Sequence, residues 1–91
     1  MVKSRIVFSR HALEHMPSRG TTRDEVEETV RSGERLAAKR GRRACRKNFP
    51  YRSEWKGRYY ETKQVMPVVA IEGDTTIVVT VYVFYFGGLG Q

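Results

Sequence analysis

Cysteine is nearly missing from this chain. Cys45 stands alone among 91 residues, so no intramolecular disulfide can form and a four-cysteine zinc site is excluded. Long apolar runs are missing as well. The opening MVKSRIVF is too short and too polar for a signal peptide, and the apolar run at 75–86 is too short for a membrane helix. The expectation is a cytoplasmic protein with no membrane attachment. Internal repeats and linkers are absent, so residues 1–91 read as a single domain with one small core and no cofactor. Basic residues are absent from one region only. Residues 64–91 hold none, against seven in 1–38 and ten in 39–63, while the acidic counts are two, six and two. The whole excess behind the net charge of +7 therefore sits in the middle third, as a localised basic surface.

What is present begins with TTIVVTVYVFYF, residues 75–86. Read with period two, one face carries Ile77, Val79, Val81, Val83 and Tyr85, and the other Val78, Thr80, Tyr82, Phe84 and Phe86. β-branched and aromatic residues on both faces predict a central strand covered on both sides. Gly73-Asp74 before it suits a type II′ hairpin turn. That turn sets Glu72 opposite Thr75, Ile71 opposite Thr76, Ala70 opposite Ile77 and Val69 opposite Val78. Pro67 lacks an amide proton, which argues that strand 65–72 is an outer one.

Ahead of this hairpin, Ser4 to Phe8 reads as a short strand and Ser9 as the N-cap of a helix RHALEHM, with Ala12, Leu13 and Met16 inward. Pro17 disfavours helix at Met16. Thr22 with Glu25 forms a capping box opening a second helix, which stops at Gly33. Weak strand patterns follow at 36–38 and 42–49, joined through Lys39-Arg40-Gly41. Residues 50–57 read as a loop, and Arg58 to Lys63 as extended chain. The tail GGLGQ reads as frayed. The fold class is α+β: a short N-terminal strand, two helices, then a three- to four-stranded antiparallel sheet with helices on one face.

Three patterns carry chemistry. HALEH, residues 11–15, matches the inverted zinc-protease signature H-x-x-E-H. The helix is cut at Pro17 and no third ligand follows, so no metal site is expected. The histidines flank the core stripe; the plain reading makes them surface residues beside an Arg10–Glu14 pair, and the sharper one makes His11 an acid, base or phosphate ligand. KRGRRACRK, residues 39–47, supplies Lys39, Arg40, Arg42, Arg43, Arg46 and Lys47. Tyr51, Trp55, Tyr59 and Tyr60 follow, and aromatics near arginines suit stacking on unpaired bases. RNA is the preferred partner, with Tyr59 joining the six cations, against a solvated face or an import signal. Cys45 has cations nearby, but a core-facing thiol is the commoner case.

The segment SRHALEHMPSRGTTRDEVEETVRSGE resembles the opening of domain-of-unknown-function family 4258, with Ser9, His11, Ala12, His15, Met16, Arg19 and Val26 in its pattern. IVVTVYVFYFG resembles the family's closing strand, with Thr80 and Tyr82 in its threonine-x-tyrosine position. The resemblance implies kinship with the RelE/ParE-type toxin fold, whose members include ribonucleases that cut messenger RNA on the ribosome and are silenced by an antitoxin. On that likeness His11, Arg43 or Arg46, and Tyr82 would fill the catalytic roles of a metal-independent endoribonuclease. A 2′-hydroxyl would attack its own phosphate while His11 moves the proton and arginines from 42–46 neutralise the phosphorane. The alternative is a non-catalytic module binding nucleic acid or protein through the same surface.

Overall fold

The structure is a computed structural model and describes residues 5–88. Its elements run β1 (Arg5–Phe8), α1 (Arg10–Arg19), α2 (Arg23–Ser32), β2 (Glu34–Ala37), a single 3-10 turn (Lys39–Gly41), β3 (Arg43–Trp55), β4 (Arg58–Glu72) and β5 (Thr75–Phe86). The five strands form one sheet in the order β1-β5-β4-β3-β2. The α+β class holds, but the sheet is larger than expected and mixed, because β1 joins it parallel to β5. The proposed start of β1 at Ser4 and the tail beyond Gly88 lie outside the described residues.

Local chemistry explains the helices. Ser9 caps α1 by accepting from the Ala12 amide, and Thr22 and Glu25 form a complete capping box on α2. Pro17 does not end α1, contrary to expectation. The helix runs through it to Arg19 and closes on Gly20 in the left-handed conformation, whose amide donates to the Met16 carbonyl. A Cβ at Gly20 would collide with the Tyr85 hydroxyl and the Trp55 ring, so the glycine also makes room for packing. The core lies between these helices and one sheet face: Ala12, Met16 and Val26 meet Val65, Val69, Val78 and Val81. Leu13, expected inward, is largely exposed.

The β4–β5 hairpin has the expected register, from Glu72↔Thr75 to Val69↔Val78, with Gly73 at φ 62. Three other expectations fail. Residues 50–57 are not a loop: β3 continues to Trp55 and turns through Lys56 and Gly57, both at positive φ, the pattern of a type I′ turn. Composition misled there because turn-forming residues sit in a bulge, a register shift between Pro50 and Ser53. Strand 65–72 is not outer but belongs to β4, the middle of the sheet. Pro67 is accommodated where the β3–β4 ladder breaks; partners run Ala44↔Val68 and then Lys47↔Val65, with none opposite Pro67.

Strand β5 is not covered on both faces, and its alternation is not unbroken: a register shift leaves Val79 unpaired, so that Val78 and Val81 both face the helices. Tyr82, Phe84 and Phe86 are 44%, 46% and 40% exposed, on the sheet face opposite the helices. Nor, among the described residues, is it flanked along its full length, since β1 pairs with Thr75 to Val78. Beyond that point side chains replace a strand. Ser9 Oγ donates to the Val79 carbonyl at 2.8 Å, and Arg19 Nη1 to the Val81 carbonyl at 2.6 Å.

Candidate functional site along the free edge of β5

Helix α1 lies along β5, buried through Ala12 and Met16. His11, His15 and Arg19 are spaced i, i+4, i+8, so they form one stripe beside that buried row. Arg19 shows which way the stripe faces, because its guanidinium bends round the sheet edge to Val81. The edge carbonyl is available there for a reason rooted in Pro67. Val81 is the register partner of Pro67, whose ring nitrogen is turned toward β3, so Val81 turns its own backbone groups outward.

The His11 and His15 rings stack at 4.3 Å between centroids, tilted by 42°. His11 is exposed and His15 half-buried. At the other end of the stripe the Arg19 guanidinium carbon lies 5.6 Å from the centroid of the Tyr82 ring. Arg19 is held from behind as well, since the Tyr85 hydroxyl donates to its carbonyl at 2.9 Å. Two imidazoles and a guanidinium thus follow one another along α1, and the guanidinium meets a phenol at a strand edge that pairs with no other strand among the described residues. Imidazole is the side chain whose ordinary titration lies near neutral pH, and a guanidinium matches a phosphate in shape and charge. Among the described residues no three His, Cys, Asp or Glu side chains gather to hold a metal.

The remaining candidates are distributed elsewhere. Arg46 shares the open sheet face with Tyr82, but Met66 stands between them and Arg46 Nε is bound to Glu34 Oε1 at 2.7 Å. That contact holds the Glu34 carboxyl below its usual range. Arg43, three residues away on the same strand, points to the helix face, so the two arginines do not converge. Lys47 is bound to Glu28 at 2.7 Å and to Ser32 Oγ at 2.9 Å. Lys39, Arg40, Arg42 and Arg43 cluster around the 3-10 turn at the opposite sheet edge. Tyr59 donates to Glu61 at 3.1 Å.

The other aromatics following the basic run are packed. Trp55 stacks on Tyr85 at 4.8 Å and 15°, with Tyr51 and Tyr60 against the same ring. They close over Lys63, 7% exposed, whose ammonium binds both Glu25 oxygens at 2.8 Å and the Gly20 carbonyl at 3.0 Å. Cys45 is buried, and burial raises its thiol pKa despite Arg35 and Arg43 nearby, which makes it a core residue.

Sequence reasoning therefore named the candidates His11 and Tyr82 and gave no role to His15 and Arg19 between them. The signal was available in the H-x-x-x-H-x-x-x-R spacing, residues 11 to 19. Other proteins add little to this geometry, since no curated protein and no solved structure matches the chain. The family described as Domain of unknown function (DUF4258) matches residues 8–83, a span containing Ser9, the whole α1 stripe and Tyr82, and the chain belongs to that family.

Proposed function

We propose that this domain is RNA-directed and toxin-like, and that the α1 stripe cleaves RNA without a metal. The observations that carry the reading are two close pairs, His11 with His15 and Arg19 with Tyr82, on helical spacing along α1. A 2′-hydroxyl attacks its adjacent phosphorus, one imidazole takes the hydroxyl proton, and its neighbour returns a proton to the departing 5′-oxygen. Arg19 uses Nη1 on Val81 and keeps its other donors for the phosphorane oxygens. Tyr82 supports the neighbouring base by stacking. Messenger RNA on the ribosome and a silencing antitoxin protein are the partners that a toxin-like role entails, and such a role places the protein in the cytoplasm. Among the described residues no helix is long and apolar enough to cross a membrane.

The test is a cleavage assay on a mixed-sequence single-stranded RNA. His11→Ala and His15→Ala should each lower the rate by roughly 10²–10⁴-fold while RNA affinity changes little. Arg19→Ala should lower both rate and affinity. No cleavage by the unaltered protein, with binding intact, would favour the rival reading of a non-catalytic RNA-binding module. That rival is supported by Arg43 and Arg46 standing apart from the stripe, on different faces of β3.

A further inference from the structure

The bulge in β3 builds a second feature, on the open sheet face. Between the pairs Pro50↔Thr62 and Ser53↔Tyr60, β3 has two residues, Tyr51 and Arg52, where β4 has only Glu61. Arg52 takes the strain, at φ 46 in the left-handed region that a non-glycine residue seldom occupies. The result is an open cleft of about 320 Å³ lined by Asn48, Phe49, Pro50, Arg52, Glu61 and Thr62. That volume falls in the range of small-ligand sites.

The cleft adjoins an aromatic track. Asn48 pairs with Gln64 and Gln64 with Phe84, while Pro50 pairs with Thr62 and Thr62 with Phe86. Tyr82, Phe84 and Phe86 follow at every second residue of β5, about 7 Å apart from the strand rise. They are the exposed aromatics of this face. Gln64 Nε2 donates to Asn48 Oδ1 at 2.9 Å. Whichever way round the two amides are placed, their mutual bond uses one N–H and one oxygen and leaves three N–H donors and the second carbonyl oxygen outside it. Glu61 adds a carboxylate whose Oε1 accepts from the Tyr59 hydroxyl at 3.1 Å and whose Oε2 lies 3.7 Å from Arg52 Nε, leaving further lone pairs on both oxygens.

Resting on the RNA reading above, we infer that this cleft selects an unpaired base with an exocyclic amino group next to an unprotonated ring nitrogen on its pairing edge, adenine or cytosine, from a strand stacked along Tyr82, Phe84 and Phe86. An amino group beside a ring nitrogen matches the acceptor and donor of the amide pair. Glu61 accepts from an amino hydrogen, and Arg52 meets the following phosphate. Uracil presents carbonyl oxygens on both sides of its N–H, one of which would face the Glu61 carboxylate. The basic excess lies in residues 39–63, which supply the β3 side of this cleft, and it favours a polyanionic occupant.

The experiment measures binding of the full chain to short oligoadenylate, oligocytidylate and oligouridylate by fluorescence anisotropy, with 2′-fluoro sugars so that nothing is cleaved. Adenylate and cytidylate should bind about tenfold tighter than uridylate. Glu61→Gln should remove that preference, and Asn48→Ala/Gln64→Ala should weaken all three, because the N–H and carbonyl of uracil can also pair with an amide. Phe84→Ala should weaken all three alike. Glu61→Gln alters an exposed position and keeps the test open should the double variant unfold. Equal binding of all three oligonucleotides, or a preference that survives Glu61→Gln, overturns the base subsite and leaves the RNA reading standing. No binding to any of them overturns both.

Discussion

Arg19 joins the candidate site to the fold at one point. Its side chain satisfies a strand carbonyl that β1 is too short to reach, and its backbone carbonyl receives the Tyr85 hydroxyl. Tyr85 is in turn the hub of the aromatic cluster with Tyr51, Trp55 and Tyr60. Burial, reinforced by Tyr51 and Glu25, pushes the Tyr85 phenol from 10.0 up to about 12. The sign follows from linkage. The folded pKa is raised, so the stabilisation is complete below the unfolded value and is lost as pH rises toward the folded one. Melting temperature should therefore fall between pH 10 and about 12, and Tyr85→Phe should flatten that decline. An identical pH slope in Tyr85→Phe, followed by circular dichroism, would assign the alkaline transition to other groups.

Strand β5 is the element on which the others depend. It pairs with β4 along its length, takes β1 on its other side for four residues, and carries α1 on one face. Val81 lies at its centre, 1% exposed, opposite the proline that interrupts the β3–β4 ladder. Val81→Asp should unfold the domain, because the carboxylate would be buried without a partner at a cost of several kcal/mol against a stability of about 5–15. Loss of the far-ultraviolet circular dichroism signal and of soluble expression is the expected result; a folded Val81→Asp protein would contradict the core described above. The backbone amides of β5 from Thr76 to Val81 should also be among the slowest to exchange.

At the scale of the molecule, charge and apolar surface are arranged in separate zones. Among the described residues Lys39, Arg40, Arg42 and Arg43 make no ion pair with a carboxylate, whereas Arg46, Lys47, Arg52 and Lys63 each do. The unpaired cations sit at the β2–β3 edge and the aromatic track at the β5 side, with the open sheet face between them. On the RNA reading proposed above, a strand crossing that face would meet cations for its phosphates at one edge and stacking surfaces at the other. Replacing Lys39, Arg40, Arg42 and Arg43 with alanine should weaken RNA binding and shallow the slope of log affinity against log salt by up to about 3, given roughly 0.7 per phosphate contact on single strands. Arg46→Ala alone should change the slope little, since Glu34 already neutralises it. An unaltered slope in the fourfold variant would make the turn a solvated face with no role in binding.

Several features were legible in the residues because they depend on near neighbours. The Ser9 cap, the Thr22–Glu25 box and the β4–β5 register each follow from side chains within a few positions of one another. The same locality made His11 and Tyr82 visible, and strand alternation could have shown that Arg43 and Arg46, three apart, point to opposite faces. What tertiary structure decided was non-local. An apolar run on both faces of residues 75–86 does not say which face the helices take, and here one side stays open with Tyr82, Phe84 and Phe86 on it. Pro67 read as an edge signal, yet a central strand absorbs it by breaking one ladder locally. Arg19 became a site residue only when α1 was laid along β5, because its partners Val81, Tyr82 and Tyr85 are more than sixty positions away. Pattern and propensity act over a few residues; sheet order and helix placement are set by which distant surfaces bury one another.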